Sequence, residues 1–371
     1  MQIELPISKS IANRLLILQA IHGDELMPVS DSMPDDVQIL HRSLCLIASS
    51  PHSLIDVGNC GTAMRFLTAY CAQLEGRTTI LDGVERMRHR PIGQLVDALR
   101  EIGADIEYLG EEGFPPLRIK GCILDKDRII TLDNPQSTQF VSALLLIGAN
   151  VQTDSTSPYI TLTREIIDQY PIAYRASYSP HCGRPIAAQA ASSLEKDWSS
   201  AAFWYEYVAL HGGEITLPGI YRNSLQGDKV VADIFAHLGV HTTYTAEGII
   251  LSPIAYSEAS NSPHGGRPIA AQAASHSKIL TQDFGSCPDL YPAVALTCER
   301  LGIELHAAGV ESLPLKESDR LRAVRDHRTD HDHRMAMALL IAGYEVDDTA
   351  CISKSYPQFM EQFHRINTLK L

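Results

Sequence analysis

The chain has 371 residues, of which 45% are hydrophobic and 20% charged, and a formal net charge of −13. A single hydrophobic core stops growing at about 250–300 residues, so two domains are expected. The acidic balance excludes a phosphate-tracking nucleic-acid surface but not small anionic ligands, which respond to the local field of a cleft.

The eight cysteines form no CxxC pair, which excludes a zinc framework or a disulfide scaffold and fits a reducing cytoplasm. Residues 1–6 carry no charged-then-apolar leader pattern, and no apolar run reaches the roughly 18 residues of a membrane-spanning helix.

Taken in chain order, six short polar or glycine-containing turns open directly into apolar helices. They are Ser8-Lys9-Ser10 before 11–21, Gly58-Asn59-Cys60-Gly61 before 62–74, and Asn134-Pro135-Gln136-Ser137 before 138–147. In the second half they are Asp197-Trp198-Ser199-Ser200 before 201–210, Cys287-Pro288-Asp289 before 290–301, and 330–333 before 334–342. Each helix is apolar on most faces and should be buried.

Short strand-like stretches fall between them at 78–81, 117–119, 129–132, 214–217 and 248–251, with polar-faced helices at 92–102 and 230–238. Six strand-and-helix units in two sets of three is the simplest arrangement. Several helix starts facing one cleft would form an anion-binding surface, because each carries unpaired N–H groups and the positive end of the dipole. Taken singly, each is more simply a helix cap.

Residues 176–192 and 259–275 match at all but two positions. This reads as a local duplication rather than an architectural unit, and its Gly-Arg-Pro turn reads as a surface loop.

Basic residues gather at the junctions. Lys9 and Arg14 flank the first and Arg65 follows the second; Arg90 closes Arg86-Met87-Arg88-His89-Arg90; Lys316 and Arg320 bracket Glu317; Arg334 follows His333; and Lys354 stands in Ser353-Lys354-Ser355. Guanidinium forks with backbone N–H donors suit phosphate or carboxylate, so convergence would imply a polyanionic ligand. Lys316-Glu317-Ser318-Asp319-Arg320 places a carboxylate between cations that a helix would set one turn apart, where Glu317 could move protons; alone it is more simply a structural ion-pair helix. His331 and His333 do not make a metal site, since no third ligand stands at recognisable spacing and Arg334 would oppose a cation.

Together these motifs resemble the 5-enolpyruvylshikimate-3-phosphate (EPSP) synthase family of enolpyruvyl transferases. Residues 5–14 are similar to its SKS-x-x-NR signature, 59–65 to NAGTAMR, 86–93 to RM-x-x-RPIG, 316–320 to KE[ST]DR and 332–337 to DHRMAM.

The resemblance implies a two-domain inverse α/β barrel, each domain built from three βαβαββ repeats, the last one truncated. It implies an N-terminal lobe at 8–195 and a C-terminal lobe at 196–371, joined by a short N-terminal strand at 1–7. The implied substrates are shikimate 3-phosphate and phosphoenolpyruvate, with no metal or cofactor, no nucleic acid and no membrane, in a cytoplasmic monomer. By motif position Lys9, Ser10, Arg14, Ser137, Thr138, Gln139, Thr156, Asp289, Ser312 and Lys316 would hold shikimate 3-phosphate. Lys9, Gly61, Arg90, Arg320, Arg334 and Lys354 would hold phosphoenolpyruvate. Asp289 would act as general base, with Glu317 and Lys9 moving the other protons.

The sequence departs from the family pattern in several places. Almost nothing intervenes between Arg325 and Asp330, where the family carries a helix and strands; Thr156 stands where serine is usual and Ser312 where an amide is frequent; and the first duplicated copy replaces the approach to Asp197. A lost βαβ element would expose core, against a typical domain stability of about 5–15 kcal/mol. The alternatives are a UDP-N-acetylglucosamine enolpyruvyl transferase, disfavoured because 85–91 lacks a cysteine, and a degenerate, non-catalytic homologue.

Overall fold

The computed structural model describes residues 1–176, 194–254 and 279–368. Apart from Ala176, both duplicated segments lie outside the described residues. The chain divides into two compact units: an inserted unit, Lys9–Leu194, and a split unit formed by Met1–Ser8 with Glu195–Leu371.

The inserted unit opens with α1 (Lys9–His22) and α2 (Asp35–Ser49). It continues through β1 (His52–Asp56), α3 (Gly61–Ala72), β2 (Thr78–Asp82), α4 (Glu85–Arg88), α5 (Gly93–Glu101), β3 (Asp105–Tyr108) and β4 (Leu117–Lys120). Apart from the single turn α4, this is a complete βαβαββ repeat, with its strands in the order β1-β2-β4-β3. β1 runs parallel to β2, and β4 is antiparallel to both its neighbours. The register aligns Ile55, Leu81 and Leu117 in one row, all fully buried, so the alternating pattern of the strands turns one face to the core. β5 (Ile129–Thr131), α6 (Thr138–Leu146), β6 (Asn150–Gln152) and α7 (Pro158–Ala176) follow, with β5 parallel to β6.

The split unit contains α8 (Trp198–His211), β7 (Ile215–Pro218), α9 (Val231–His237), β8 (Val240–Tyr244) and β9 (Gly248–Pro253). Its first strand position is filled from the other end of the chain: Gln2 bridges Thr216 in parallel, Ile3 N donates to Thr216 O at 3.0 Å, and Thr216 N donates to Met1 O at 2.8 Å. With β7-β9-β8 beside it, the order repeats that of the inserted unit. β10 (Ile279–Asp283), α10 (Tyr291–Leu301), β11 (Glu304–Ala308) and α11 (Arg320–Asp326) form a βαβα run, and α12 (His333–Ile341) and α13 (Phe359–Thr368) complete the unit. Among the described residues each unit therefore holds one complete repeat. The last repeat is short, with α11 passing to α12 in six residues.

The six junction helices are the cores. α1, α3 and α6 pack on one another, as do α8, α10 and α12. Residues 198–209 of α8 are all buried, as the all-round apolar sequence requires. Helices lie inside and strands outside, the inverse of the usual α/β layering. The stretch 316–320 departs from expectation. Lys316 closes a 3-10 turn (Leu313–Leu315) in extended conformation, and α11 begins only at Arg320 under the Asp319 cap. Lys316 and Arg320 are thus not successive turns of one helix.

Candidate functional site

In the inserted unit the helix starts meet. Lys9, the first residue of α1, donates to Asp36 Oδ2 at 3.0 Å. Asp36, in the first turn of α2, also offers its carbonyl to Cys60 Sγ, the residue that caps α3. Ser137 caps α6 by accepting from Gln139 N at 3.3 Å. The Gln139 amide then joins two helices, its Oε1 accepting from Arg65 Nη1 at 2.8 Å and its Nε2 donating to Thr62 Oγ1 at 2.9 Å. A Cβ placed on Gly61 would lie 2.5 Å from Arg65 Nη1 and 2.7 Å from Arg90 Nη1. The glycine lets two guanidinium groups close over the α3 start. The Arg90 Nε and Nη1 atoms are buried without an acceptor among the described residues, an arrangement suited to an incoming anion.

Arg14 plays a different part. It is 2% exposed, donates to Thr163 Oγ1 at 2.7 Å, Ser10 O at 2.7 Å, Ser142 Oγ at 3.2 Å and Tyr159 O at 3.2 Å, and stacks over Phe66. Burial pulls its pKa down to about 10. It ties α1 to α6 and α7 and shapes the Ser10 backbone rather than opening to solvent.

In the split unit the organising group is Asp289, just before α10. Its Oδ1 accepts from Arg320 Nη1 at 2.8 Å, its Oδ2 from Arg334 Nη2 at 2.8 Å, and Lys316 Nζ lies 3.5 Å from Oδ1. Glu317 accepts from Arg320 Nη2 at 3.2 Å and from Lys354 Nζ at 3.0 Å. Asp332, fully buried, caps α12 through Arg334 N and accepts from Arg320 Nε at 2.8 Å and Ser318 Oγ at 3.1 Å. Three helix starts and four cations therefore share one network.

Burial alone would raise the Asp289 pKa, but Arg334, Lys316 and Arg320 hold it well below the usual carboxylate range. Burial lowers the Lys316 pKa, with Asp289 opposing. Burial would also lower the pKa of Arg320, but Asp332, Asp289 and Glu317 raise it. Asp228 differs: burial, then the nearby Asp289 charge, push it up to about 6, while Ser199 donates a hydrogen bond to it.

Within the inserted unit the structure brings Lys9, Gly61, Arg90 and Gln139 to the helix starts, with Ser137 and Thr138 at the head of α6; within the split unit it brings together Asp289, Lys316, Glu317, Arg320, Arg334 and Lys354. Thr156 is exposed in the loop before α7, and Ser312 stands at the head of the 3-10 turn without a side-chain bond among the described residues; neither joins the clusters. Asp36, Asp332 and Asp228 were missed by sequence reasoning. Acidic residues in the first turn of α2 and capping α12 were the available signal for two of them; Asp228 gave none.

A profile of the family described as EPSP synthase (3-phosphoshikimate 1-carboxyvinyltransferase) matches residues 25–327 and 326–363. A Bacteroides fragilis protein named 3-phosphoshikimate 1-carboxyvinyltransferase is 35% identical, with 98% of this chain and 94% of the relative covered. One of the same name from Idiomarina loihiensis is 28% identical, covering 98% and 96%. An EPSP synthase structure from Acinetobacter baumannii superposes with a TM-score of 0.63 at 19% identity, over 98% of this chain and 95% of that one. That likeness carries the fold, a two-domain inside-out α/β architecture. With its profile match and a full-length relative at this identity, the chain belongs to the EPSP synthase family.

Proposed function

We propose that the chain transfers the enolpyruvyl group of phosphoenolpyruvate to the 5-hydroxyl of shikimate 3-phosphate, releasing phosphate, as a step of aromatic amino acid biosynthesis. The observation that carries this reading is the Asp289 network, in which the carboxylates of Asp289 and Glu317 sit among Lys316, Arg320, Arg334 and Lys354. Such a cluster suits a substrate carrying both phosphate and carboxylate.

The chemistry proceeds by addition and elimination. The 5-hydroxyl oxygen bonds to C2 of phosphoenolpyruvate while C3 takes a proton, and Asp289 accepts the hydroxyl proton. The tetrahedral adduct then loses a proton from C3 as its C2–O bond to phosphate breaks. Glu317 and Lys9 move the protons at C3 and at the leaving group. Arg320, Arg334, Lys354, Arg90 and Lys9 hold phosphoenolpyruvate, with Gly61 keeping the approach open. Lys9, Ser10, Arg14, Ser137, Thr138, Gln139, Thr156, Asp289, Ser312 and Lys316 are assigned to shikimate 3-phosphate by motif position, Arg14 acting through the backbone it supports. Asp289 starts as a weak base because three cations face it. An anionic substrate that shares those cations raises its basicity when the proton must move. The two units are read as the two lobes of a cytoplasmic monomer. Among the described residues, no helix is long and apolar enough to cross a membrane.

UDP-N-acetylglucosamine is disfavoured as acceptor, since the relatives bear the shikimate name and 85–91 lacks a cysteine. Phosphate release from phosphoenolpyruvate, assayed with shikimate 3-phosphate, with UDP-N-acetylglucosamine and with no acceptor, tests the reading. Only the first should support turnover, and Glu317→Gln should lower it about 10²–10⁴-fold. Turnover undiminished in Glu317→Gln removes that residue from the mechanism, and a folded chain inert with every acceptor removes the activity.

A further inference from the structure

The connection between α11 and α12 is where the family profile breaks, its two matched stretches meeting at residues 326 and 327. The six residues between the helices are not slack. His327 ends α11 in the left-handed region at φ 49°, and Asp330 and His331 follow at φ 47° and 60°. Non-glycine residues are uncommon in this region, Asp and His among those that enter it most readily, and three in five residues call for partners that hold them there.

Three side chains do the fixing. His327 Nε2 lies 2.9 Å from Glu299 Oε1, and its ring stacks on Tyr344 at 4.0 Å. Thr329, fully buried, donates through Oγ1 to Asp347. His331 Nδ1 lies 2.6 Å from Asp348 Oδ2. Asp348 Oδ1 also accepts from Ala350 N at 2.9 Å, capping the 3-10 turn Ala350–Lys354 that ends on Lys354. At the other end Thr329 O accepts from Asp332 N at 2.9 Å, and Asp332 holds Arg320 and caps the helix that begins with His333 and Arg334. The connection thus grips an end of each of the three segments that carry Arg320, Arg334 and Lys354 to Asp289 and Glu317.

We infer that residues 327–331 are a clamp that positions Arg320, Arg334 and Lys354 in place of the missing part of the last repeat, with Thr329 and His331 as positioning residues. The inference rests on the assignment of those cations to phosphoenolpyruvate. Thr329→Val keeps shape and removes the hydroxyl. His331→Asn keeps a residue that tolerates the left-handed region and removes the imidazole at an exposed position where folding is not at risk.

Steady-state kinetics should show the KM for phosphoenolpyruvate rising about tenfold in each variant, with kcat and the KM for shikimate 3-phosphate within about twofold, and Thr329→Ser restoring the original value. Unchanged KM values, or an equal rise in both, overturn the clamp. If the unmodified chain does not turn over, the functional assignment fails, and amide hydrogen exchange in the same variants decides separately. Faster exchange at 333–336 and 350–354 supports the clamp, and unchanged exchange there overturns it.

Discussion

Arg334 Nη2 lies 2.8 Å from Asp289 Oδ2, with Arg334 buried at 1% exposure and the Asp289 side chain 18% exposed. With Arg320 on the other oxygen, this pair keeps Asp289 ionised well below the usual carboxylate range. Because the folded pKa is lowered, the stability it contributes is present above the unfolded value and is lost only as pH falls through the folded one. A bound anion that shares the guanidinium groups raises the pKa. The acidic limb of kcat should therefore lie at higher pH than that of kcat/KM, which pH–rate profiles with both substrates measure. Asp289→Asn should lower kcat about 10²–10⁴-fold.

Gly61→Ala should separate binding from folding. The new methyl would meet Arg65 and Arg90 at 2.5–2.7 Å, but these atoms are the ends of flexible side chains and can move. The melting temperature should stay within a few degrees of the original, while the KM for phosphoenolpyruvate rises about tenfold, the equivalent of weakening one charge-assisted hydrogen bond. Paired melting and kinetic measurements check this.

Asp36 is predicted to matter through Lys9. Asp36→Asn keeps the shape but removes the charge that holds the ammonium at 3.0 Å. Turnover should fall about tenfold, less than the 10²–10⁴ of a complete acid–base group, while Lys9→Met should lose more. Comparison of kcat in the two variants ranks them.

Glu206 offers a test of stability away from the clusters. It sits in α8 with no exposure, and neither carboxyl oxygen has a hydrogen-bond partner among the described residues. Burial raises its pKa well above the ordinary value. It is neutral when folded and ionised when unfolded above about pH 4.3, so stability is full below that pH and declines as pH rises toward the folded pKa, by about 1.4 kcal/mol per pH unit. Glu206→Leu should flatten this dependence and raise the melting temperature at about pH 8 more than at about pH 5, as thermal unfolding at the two values would show.

The junction helices were legible because a polar turn opening into an all-round apolar run has one cheap fate, burial. The expected 138–147 became Thr138–Leu146 and 334–342 became His333–Ile341. α2 was missed although Asp35 and Asp36 open it and Val37, Leu40, Leu44 and Ile47 give it a buried face. β11 was illegible because its mostly exposed residues leave little alternation to read, and β3 because its alternation lasts only four residues. The cations were visible as residue types, but Asp332 and Asp228 acquire meaning only from chain segments that folding brings to them. Lys316 and Arg320 looked like successive helical turns because spacing cannot report that Asp319 starts a helix between them.

The bridging segment contributed by residues 1–8 has a consequence for synthesis on the ribosome. Lys9–Leu194 is translated in full before any of Glu195–Leu371 exists, whereas Glu4 N must wait for Gln362 Oε1, 358 residues later, as its acceptor. One unit can mature during elongation. The other closes last, because residues 1–8 find Glu195 and Thr216 only after the inserted unit has been translated and Gln362 only near the end, so its loop-closure entropy is met late.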